Sequence, residues 1–433
     1  MILFWVLFIF LICLLIGVPV AFSIIIASVI PLILEPMVSL TQASSIMIES
    51  LSSFTLLAIP LFILTGGLLN LTKVTDDIIY ISKAIVGRLK GSLAHMGIVT
   101  SIFFGAISGS SVADVASLGR ILIPAMIKAG YSREFAATIT AASSTIGSII
   151  PPSILLIVYG ALAQTSVAGL FIAGIVPGIL IGAFQMVYAY YYAKKYDIGE
   201  VDNELIGLPR DHKMSKKLAL KKSIFPVSLF LVIIVGIMAG IFTATEAAAI
   251  AVMYTFVVAF FIKKSRNLSD YIQVIRRAVI DSASIYILIA AAAIMSWVLS
   301  YYQALDPAVN YLIENDFSPT VFLLILMLIY VVLGTFMEPN SAMLIIVPLS
   351  VPIIQGLGID PIAAGIVTVM SIRLGTVTPP YGLSALLASK IAGTNMLKMM
   401  KQIIIFVFIY LAAILLIIYI PQIATFLPNL LMD

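Results

Sequence analysis

The sequence predicts an all-α, polytopic membrane protein made of two inverted halves, each carrying a re-entrant hairpin followed by a broken helix. Three observations carry this prediction. Of 433 residues, 62% are apolar and only 10% are charged, against about 45–50% and about 25% in soluble domains. Mean hydropathy is +1.18, so nearly every segment has to face lipid or other protein. The chain also repeats itself at an offset of 228 residues, with the matches concentrated in Gly, Pro and hydroxyl residues. Composition excludes other chemistries: the one cysteine (Cys13) forms no internal disulfide, and two histidines (His95, His212) make no His-rich metal site. No G-x-x-x-x-G-K-[ST] run is present, so the chain has no Walker-type nucleotide loop.

Taken in order, spans are expected near 3–16, 18–34, 52–71, 133–163, 168–193, 224–240, 246–262, 278–300, 360–391 and 402–428. Gly17-Val18-Pro19 leaves open whether residues 1–34 form one kinked span or two. The apolar N-terminus has no basic leader and no small-residue cleavage site, and is expected to be a retained span. Basic residues set the orientation. Lys194 to Lys222, and Lys263 to Arg277, read as cytoplasmic, while 35–51, 163–168 and 303–318 contain no Lys or Arg and read as outside loops. Segment 73–92 mixes Lys73, Lys83, Arg88 and Lys90 with Ile78, Ile79 and Ile85, the pattern of an amphipathic arm at the interface. The polar stretch 196–222 is expected as a linker between a first half (1–195) and a second (223–433).

In the repeat, Pro124, Gly130, Ala136, Thr140, Ser143, Gly147, Pro151 and Pro152 meet Pro352, Gly358, Ala364, Thr368, Ser371, Gly375, Pro379 and Pro380 without a gap. Chance similarity between apolar segments would favour Leu, Ile and Val instead. Arg88 and Lys90 put the start of the first hairpin (95–128) inside, and the Lys-free loop 303–318 puts the start of the second (320–356) outside, so the halves are inverted. Inverted repeats with Gly/Pro-interrupted segments at matching positions point to a secondary transporter.

The breaks locate its site. Hairpin one is interrupted at Gly105-Ala-Ile-Ser108-Gly-Ser110-Ser111 and hairpin two at Gly334-Thr-Phe-Met-Glu338-Pro-Asn-Ser341. The following helices are interrupted at Gly147–Pro152 and Gly375–Pro380, because proline has no N–H and clashes with the preceding turn. Each break leaves carbonyls beside Ser and Thr hydroxyls, an all-oxygen, mostly neutral environment that suits Na⁺ better than Ca²⁺ or Mg²⁺. The alternative is a pair of structural kinks. Among the intramembrane charges, Glu338 and Arg373 are the strongest functional candidates. Arg373 can hold a substrate carboxylate or pair with Glu338, and both readings stand at this point. Asp114 reads as a local partner of Arg120, and Asp281 and Glu246 as headgroup-facing residues near span ends.

The run Gly105-Ala-Ile-Ser-Gly-Ser-Ser-Val-Ala-Asp114, followed by Ile123-Pro124, Gly130-Tyr131, Thr140–Ser144 and Ile150-Pro-Pro-Ser153, resembles the large membrane subunit of tripartite ATP-independent periplasmic (TRAP) transporters. The resemblance spans essentially the whole chain. It implies an elevator-type scaffold plus transport domain in a bacterial inner membrane, and Na⁺-coupled import of an organic acid such as a sialic acid or a C4-dicarboxylate. It implies one Na⁺ at Ser108, Ser110, Gly147, Ile150 and Pro152; the repeat adds a second near Gly334, Glu338, Gly375, Thr378 and Pro380. Ser108, Ser153, Glu338 and Arg373 are the expected substrate contacts. A separate four-helix membrane subunit and a periplasmic binding protein are the implied partners. Arg373 departs from the neutral run expected before Gly375. Two other readings remain: a stand-alone carboxylate carrier, and an intramembrane hydrolase with a Ser108–Ser111 nucleophile and His95 as its base.

Overall fold

The computed structural model describes residues 2–33, 39–72, 74–108, 111–199, 216–262 and 267–432. The first half begins with α1 (Ile2–Leu15) and α2 (Val20–Ile33). These are two helices, not one kinked span. Gly17 adopts φ +87°, the Val18 N–H reaches the Cys13 carbonyl at 2.9 Å, and the Gly17 N–H reaches Leu14 at 3.0 Å. That pair of bonds closes a helix C-terminus with a left-handed glycine. The first half continues through α3 (Leu40–Leu51), α4 (Ala58–Leu71), α5 (Val74–Val86), α6 (Ser92–Ser108), α7 (Ser111–Lys128), α8 (Arg133–Ser144), α9 (Ile154–Ala163) and α10 (Val167–Lys195).

The second half comprises α11 (Lys216–Met238), α12 (Ala244–Val257), α13 (Leu268–Tyr301), α14 (Asp306–Glu314), α15 (Pro319–Phe336), α16 (Pro339–Gly356), α17 (Pro361–Gly375), α18 (Leu383–Ala392), α19 (Met396–Tyr419) and α20 (Gln422–Met432). Among the described residues, seven helical segments are long and apolar enough to cross a membrane, from Phe54–Leu71 to Met396–Tyr419. The chain is a multi-pass membrane protein.

Three expectations need correcting. The expected outside loops 35–51 and 303–318 contain helices α3 and α14. Both are short and amphipathic, and α3 starts where Ser39 accepts the Thr41 N–H at 3.2 Å. The span expected at 402–428 divides at Pro421, which interrupts the ladder between α19 and α20. Helix α11 already begins at Lys216, inside the expected linker 196–222, of which 200–215 lie outside the described residues. The arm expected at 73–92 contains helix α5, which buries Val74, Ile78 and Ile79 against α6 and α11 and leaves Ile85 exposed.

Helix α1 packs on α2, and α2 and α3 pack on α13, around a cluster that includes Val6, Phe10, Ile24 and Met295, separate from the main core. The main core joins the hairpin α6–α7, the hairpin α15–α16 and the broken helices. There the halves exchange elements. Helix α9, beyond the first break, packs on α16 and α17, and α18, beyond the second, packs on α7 and α8. Polar ties fix both exchanges: Arg133 Nη1 donates to the Ala392 carbonyl at 2.9 Å, Thr394 to Glu134 at 3.1 Å, and the Tyr159 hydroxyl to the Pro361 carbonyl at 3.1 Å.

Candidate functional site

The site is built on two places where backbone touches backbone. At the end of α6, Gly105 lies against Gly147, which follows α8. A Cβ on either glycine would fall inside the Cα of the other, and one on Gly147 would also lie 3.0 Å from the Ser101 carbonyl oxygen. In the second half, Gly334 of α15 lies against Gly375 of α17. A Cβ on Gly375 would sit 2.6 Å from both the Gly334 Cα and the Val331 carbonyl oxygen. Only glycine allows such approaches. Each hairpin tip is thereby pinned to the break in the neighbouring helix.

Beyond each glycine the ladder stops at a proline pair, and Pro151-Pro152 and Pro379-Pro380 are both cis. At the first break the carbonyls of Gly147, Ile150 and Pro152 accept no hydrogen bond from any described residue. Ser153 caps α9, accepting the Leu156 N–H at 3.4 Å and donating to the Ser148 carbonyl. Ser101 and Ser143 share a hydrogen bond of 3.0 Å between α6 and α8. Ser110 lies outside the described residues. Ser108 ends α6, and its side chain is likewise outside them. At the second break the Gly375 carbonyl accepts the Thr378 N–H at 3.0 Å, and the Thr378 hydroxyl donates to Leu374 at 2.8 Å. The carbonyls of Thr378 and Pro380 accept nothing from described residues. Both breaks therefore present neutral oxygens without partners, the donor set that a monovalent cation requires.

Arg373 is buried at 6% exposure. Its Nη1 donates to the Ser111 hydroxyl at 2.7 Å, tying α17 to the first residue of α7, while its Nε has no partner. Among the described residues no ion pair joins it to Glu338, so of the two readings of Arg373 that pairing is not formed. Glu338 instead caps α16: its carboxylate accepts the Ser341 N–H at 3.1 Å and the Asn340 amide at 2.8 Å. Arg373 and Glu338 do share a wall. Together with Asn340, Ser341 and Thr376 they line a cavity of about 1250 Å³ between α7, α13, α4 and the tip of the second hairpin. Ser153 is not on that wall, although Ile154 and Leu155 are.

The remaining charges fall differently from expectation. Asp114 is buried while Arg120 is exposed, and among the described residues no ion pair joins the two. Asp281 lies 3.8 Å from Arg277 on α13, and both line the cavity. Glu246 closes a capping box with Thr243 at the start of α12. His95 is in the first turn of α6 and Ser108 at its end; thirteen residues of continuous helix separate them by about 20 Å, which removes His95 as a base for that serine. Sequence reasoning missed Ser111 as the partner of Arg373 and the glycine-on-glycine crossings. The crossings had a signal, since Gly105 and Gly334 recur at nearly the same repeat offset as Gly147 and Gly375.

Two hairpins pinned to two broken helices around a cavity define a helical membrane-transporter fold, and solved transporter structures share it. A transporter from Alcanivorax borkumensis superposes with a TM-score of 0.65 at 15% identity, covering 92% of this chain and 96% of that one. The sequence is more specific. The chain belongs to the tripartite ATP-independent periplasmic transporter family as its DctM component, matched over residues 7–423. It is 32% identical to the sialic acid TRAP transporter large permease of Vibrio cholerae over 417 residues, covering 96% of this chain and 95% of that protein. It is 35% identical to the C4-dicarboxylate TRAP transporter large permease of Pseudomonas aeruginosa over 381 residues, 88% of each.

Proposed function

We propose that this chain is the translocating subunit of a Na⁺-coupled importer of an organic acid anion, with sialic acid the favoured substrate and a C4-dicarboxylate next. The observation that carries the reading is Arg373. It is a buried guanidinium with a free Nε that lines the cavity together with Glu338. A charge held near mid-membrane is costly, about 2.5–3.5 kcal/mol on insertion scales, and marks a functional position. A substrate carboxylate completes its charge-assisted hydrogen bonds, with Glu338 and Ser108 shaping the surrounding polarity, while Ser153 stays off the cavity wall.

In this reading one Na⁺ is held by Ser108, Ser110, Gly147, Ile150 and Pro152. A second is held near Gly334, Glu338, Gly375, Thr378 and Pro380. Ion binding stiffens the hairpin tips against the breaks and thereby completes the substrate pocket. The body of hairpins and broken helices then moves as an elevator against the α1–α4 and α11–α13 scaffold. The reading includes a four-helix membrane subunit and a periplasmic binding protein as partners, and the bacterial inner membrane as location. Family membership supports all three.

The test is uptake into proteoliposomes of this chain with its small membrane subunit. Labelled sialic acid and a C4-dicarboxylate are offered separately, with and without an inward Na⁺ gradient and with and without the binding protein. Uptake requiring both Na⁺ and the binding protein is the expected result. Uptake indifferent to Na⁺ would make the breaks structural kinks, and uptake without the binding protein would make the chain a stand-alone carrier.

A further inference from the structure

The cavity that reaches Arg373 carries two more guanidinium groups, and neither belongs to the breaks or the hairpin tips. Arg120 projects from α7 and Arg277 from α13. On α7, Ser111, which holds Arg373 at 2.7 Å, precedes Arg120 by nine residues, or about 13 Å of helix. Arg120 is followed by eight residues, about 12 Å, before α7 ends at Lys128. Arg277 lies nine residues, about 13 Å, from the start of α13 at Leu268. Arg120 on α7 and Arg277 on α13 thus line the same cavity as Arg373. Arg120 is exposed and forms no ion pair among the described residues. Among the described residues the ion pair of Arg277 is with Asp281, one turn along the same helix at 3.8 Å, with the two side chains 86% and 52% exposed. An exposed i,i+4 pair of this kind is weak and easily exchanged.

We infer that Arg120 and Arg277 form a second anion subsite at the mouth of the cavity, which takes the carboxylate of an organic acid after it leaves Arg373, with Asp281 as the built-in competitor that limits how long it stays. The inference rests on the proposed transport reading, which makes this mouth cytoplasmic because the basic segments lie at that end. Two cationic sites in line let a carboxylate be handed on rather than stranded. Asp281 prevents the outer site from becoming a trap, since it re-forms its pair with Arg277 as the substrate departs.

The experiment measures inhibition from inside. Proteoliposomes of the chain with its small membrane subunit are loaded with increasing concentrations of unlabelled substrate, and initial Na⁺-driven uptake is followed. Binding protein added outside selects right-side-out copies. In the Arg120→Gln/Arg277→Gln variant, the internal concentration that halves uptake is expected to rise about tenfold, a loss of about 1.4 kcal/mol of binding, with the external half-saturating concentration unchanged. Asp281→Asn should shift it the other way, by about threefold, because Arg277 is then free. The Arg120→Lys/Arg277→Lys variant should stay near wild type, which separates lost charge from lost folding. Unchanged internal inhibition in the Gln variant, or an Asp281→Asn shift of the same sign as the Gln variant, would overturn the subsite. Absence of carboxylate uptake by the wild-type complex would instead overturn the transport reading, and the subsite with it.

Discussion

The two broken helices share a glycine crossing and a cis proline pair, and they differ in their surroundings. At the first break every residue from Thr145 to Ser153 is buried. At the second, Thr378 and Pro379 are half-buried, Pro380 is exposed, and Tyr381, at 61% exposure, lays its ring edge-on to Phe336 with centroids 5.9 Å apart. The repeat aligns Arg373 with Thr145, Tyr381 with Ser153 and Thr378 with Ile150. Identity is kept where the backbone demands it, at the glycine crossing and the proline pair. It is lost where the side chain meets something specific to one half. Thr145 turns its hydroxyl back to the Ala142 carbonyl at 2.6 Å and stays local. Arg373, at the matching position, reaches across to Ser111 of the other half. The first break is thus enclosed and lined by neutral oxygens, and the second is partly exposed and follows Arg373, which lines the cavity.

The largest effect should come from closing the crossing. Gly147→Ala puts a methyl into the Gly105 backbone, where nothing flexible can yield. The expectation is loss of measurable uptake in proteoliposomes, at least about 100-fold, corresponding to about 2.7 kcal/mol or more at the site. Gly375→Ala tests the equivalence directly, since its methyl would meet Gly334 and Val331 in the same way. If one substitution were silent and the other lethal, the two crossings would not be equivalent and the pinned-hairpin description would hold for only one half.

Next is the charge that sets the halves apart. Arg373→Gln keeps a donor able to reach Ser111 but removes the cation. Charge-assisted bonds contribute about 1.5–3 kcal/mol, so uptake at low substrate should fall about 10- to 150-fold, measured as initial rate over half-saturating concentration. Retained affinity with a lowered maximum rate would recast Arg373 as a strut between the halves rather than a substrate ligand. Ser110→Ala ranks third. It removes one proposed ligand of the first ion, and the Na⁺ concentration giving half-maximal uptake should rise about tenfold, for about 1.4 kcal/mol lost. An unchanged Na⁺ requirement would move the ion away from the first hairpin tip.

The same division explains what was legible in the amino-acid order. Gly and Pro act on the chain's own backbone, so the hairpin tips and both breaks could be located from residues 105–111, 147–152, 334–341 and 375–380 alone. Arg373 stood out for the same reason, as a charge in an apolar run. Its partner did not, because Ser111 is 262 residues away and no local pattern encodes that meeting. Helices α3 and α14 were hidden by their polarity. Thr41, Gln42, Ser44 and Ser45 give α3 the composition of a loop, and its helical state depends on packing against α13.

The smallest effect, and the finest test of the asymmetry, is Thr378→Val. In the structure the Thr378 hydroxyl donates to Leu374 at 2.8 Å, so its proton is committed while its oxygen lone pairs remain available to a cation. Its counterpart in the first half, Ile150, has no hydroxyl and offers only its carbonyl. If the second break binds an ion mainly through carbonyls, as the first must, Val should cost only the local hydrogen bond. That is about 0.5–1.5 kcal/mol, seen as a small loss in thermal stability, with the steepness of the Na⁺ dependence unchanged. If the hydroxyl oxygen is a ligand, the curve of uptake against Na⁺ should flatten from cooperative toward hyperbolic while the first ion's affinity stays put. Either result assigns the Thr378 oxygen, because a hydrogen bond to Leu374 cannot by itself change how many ions the transporter counts.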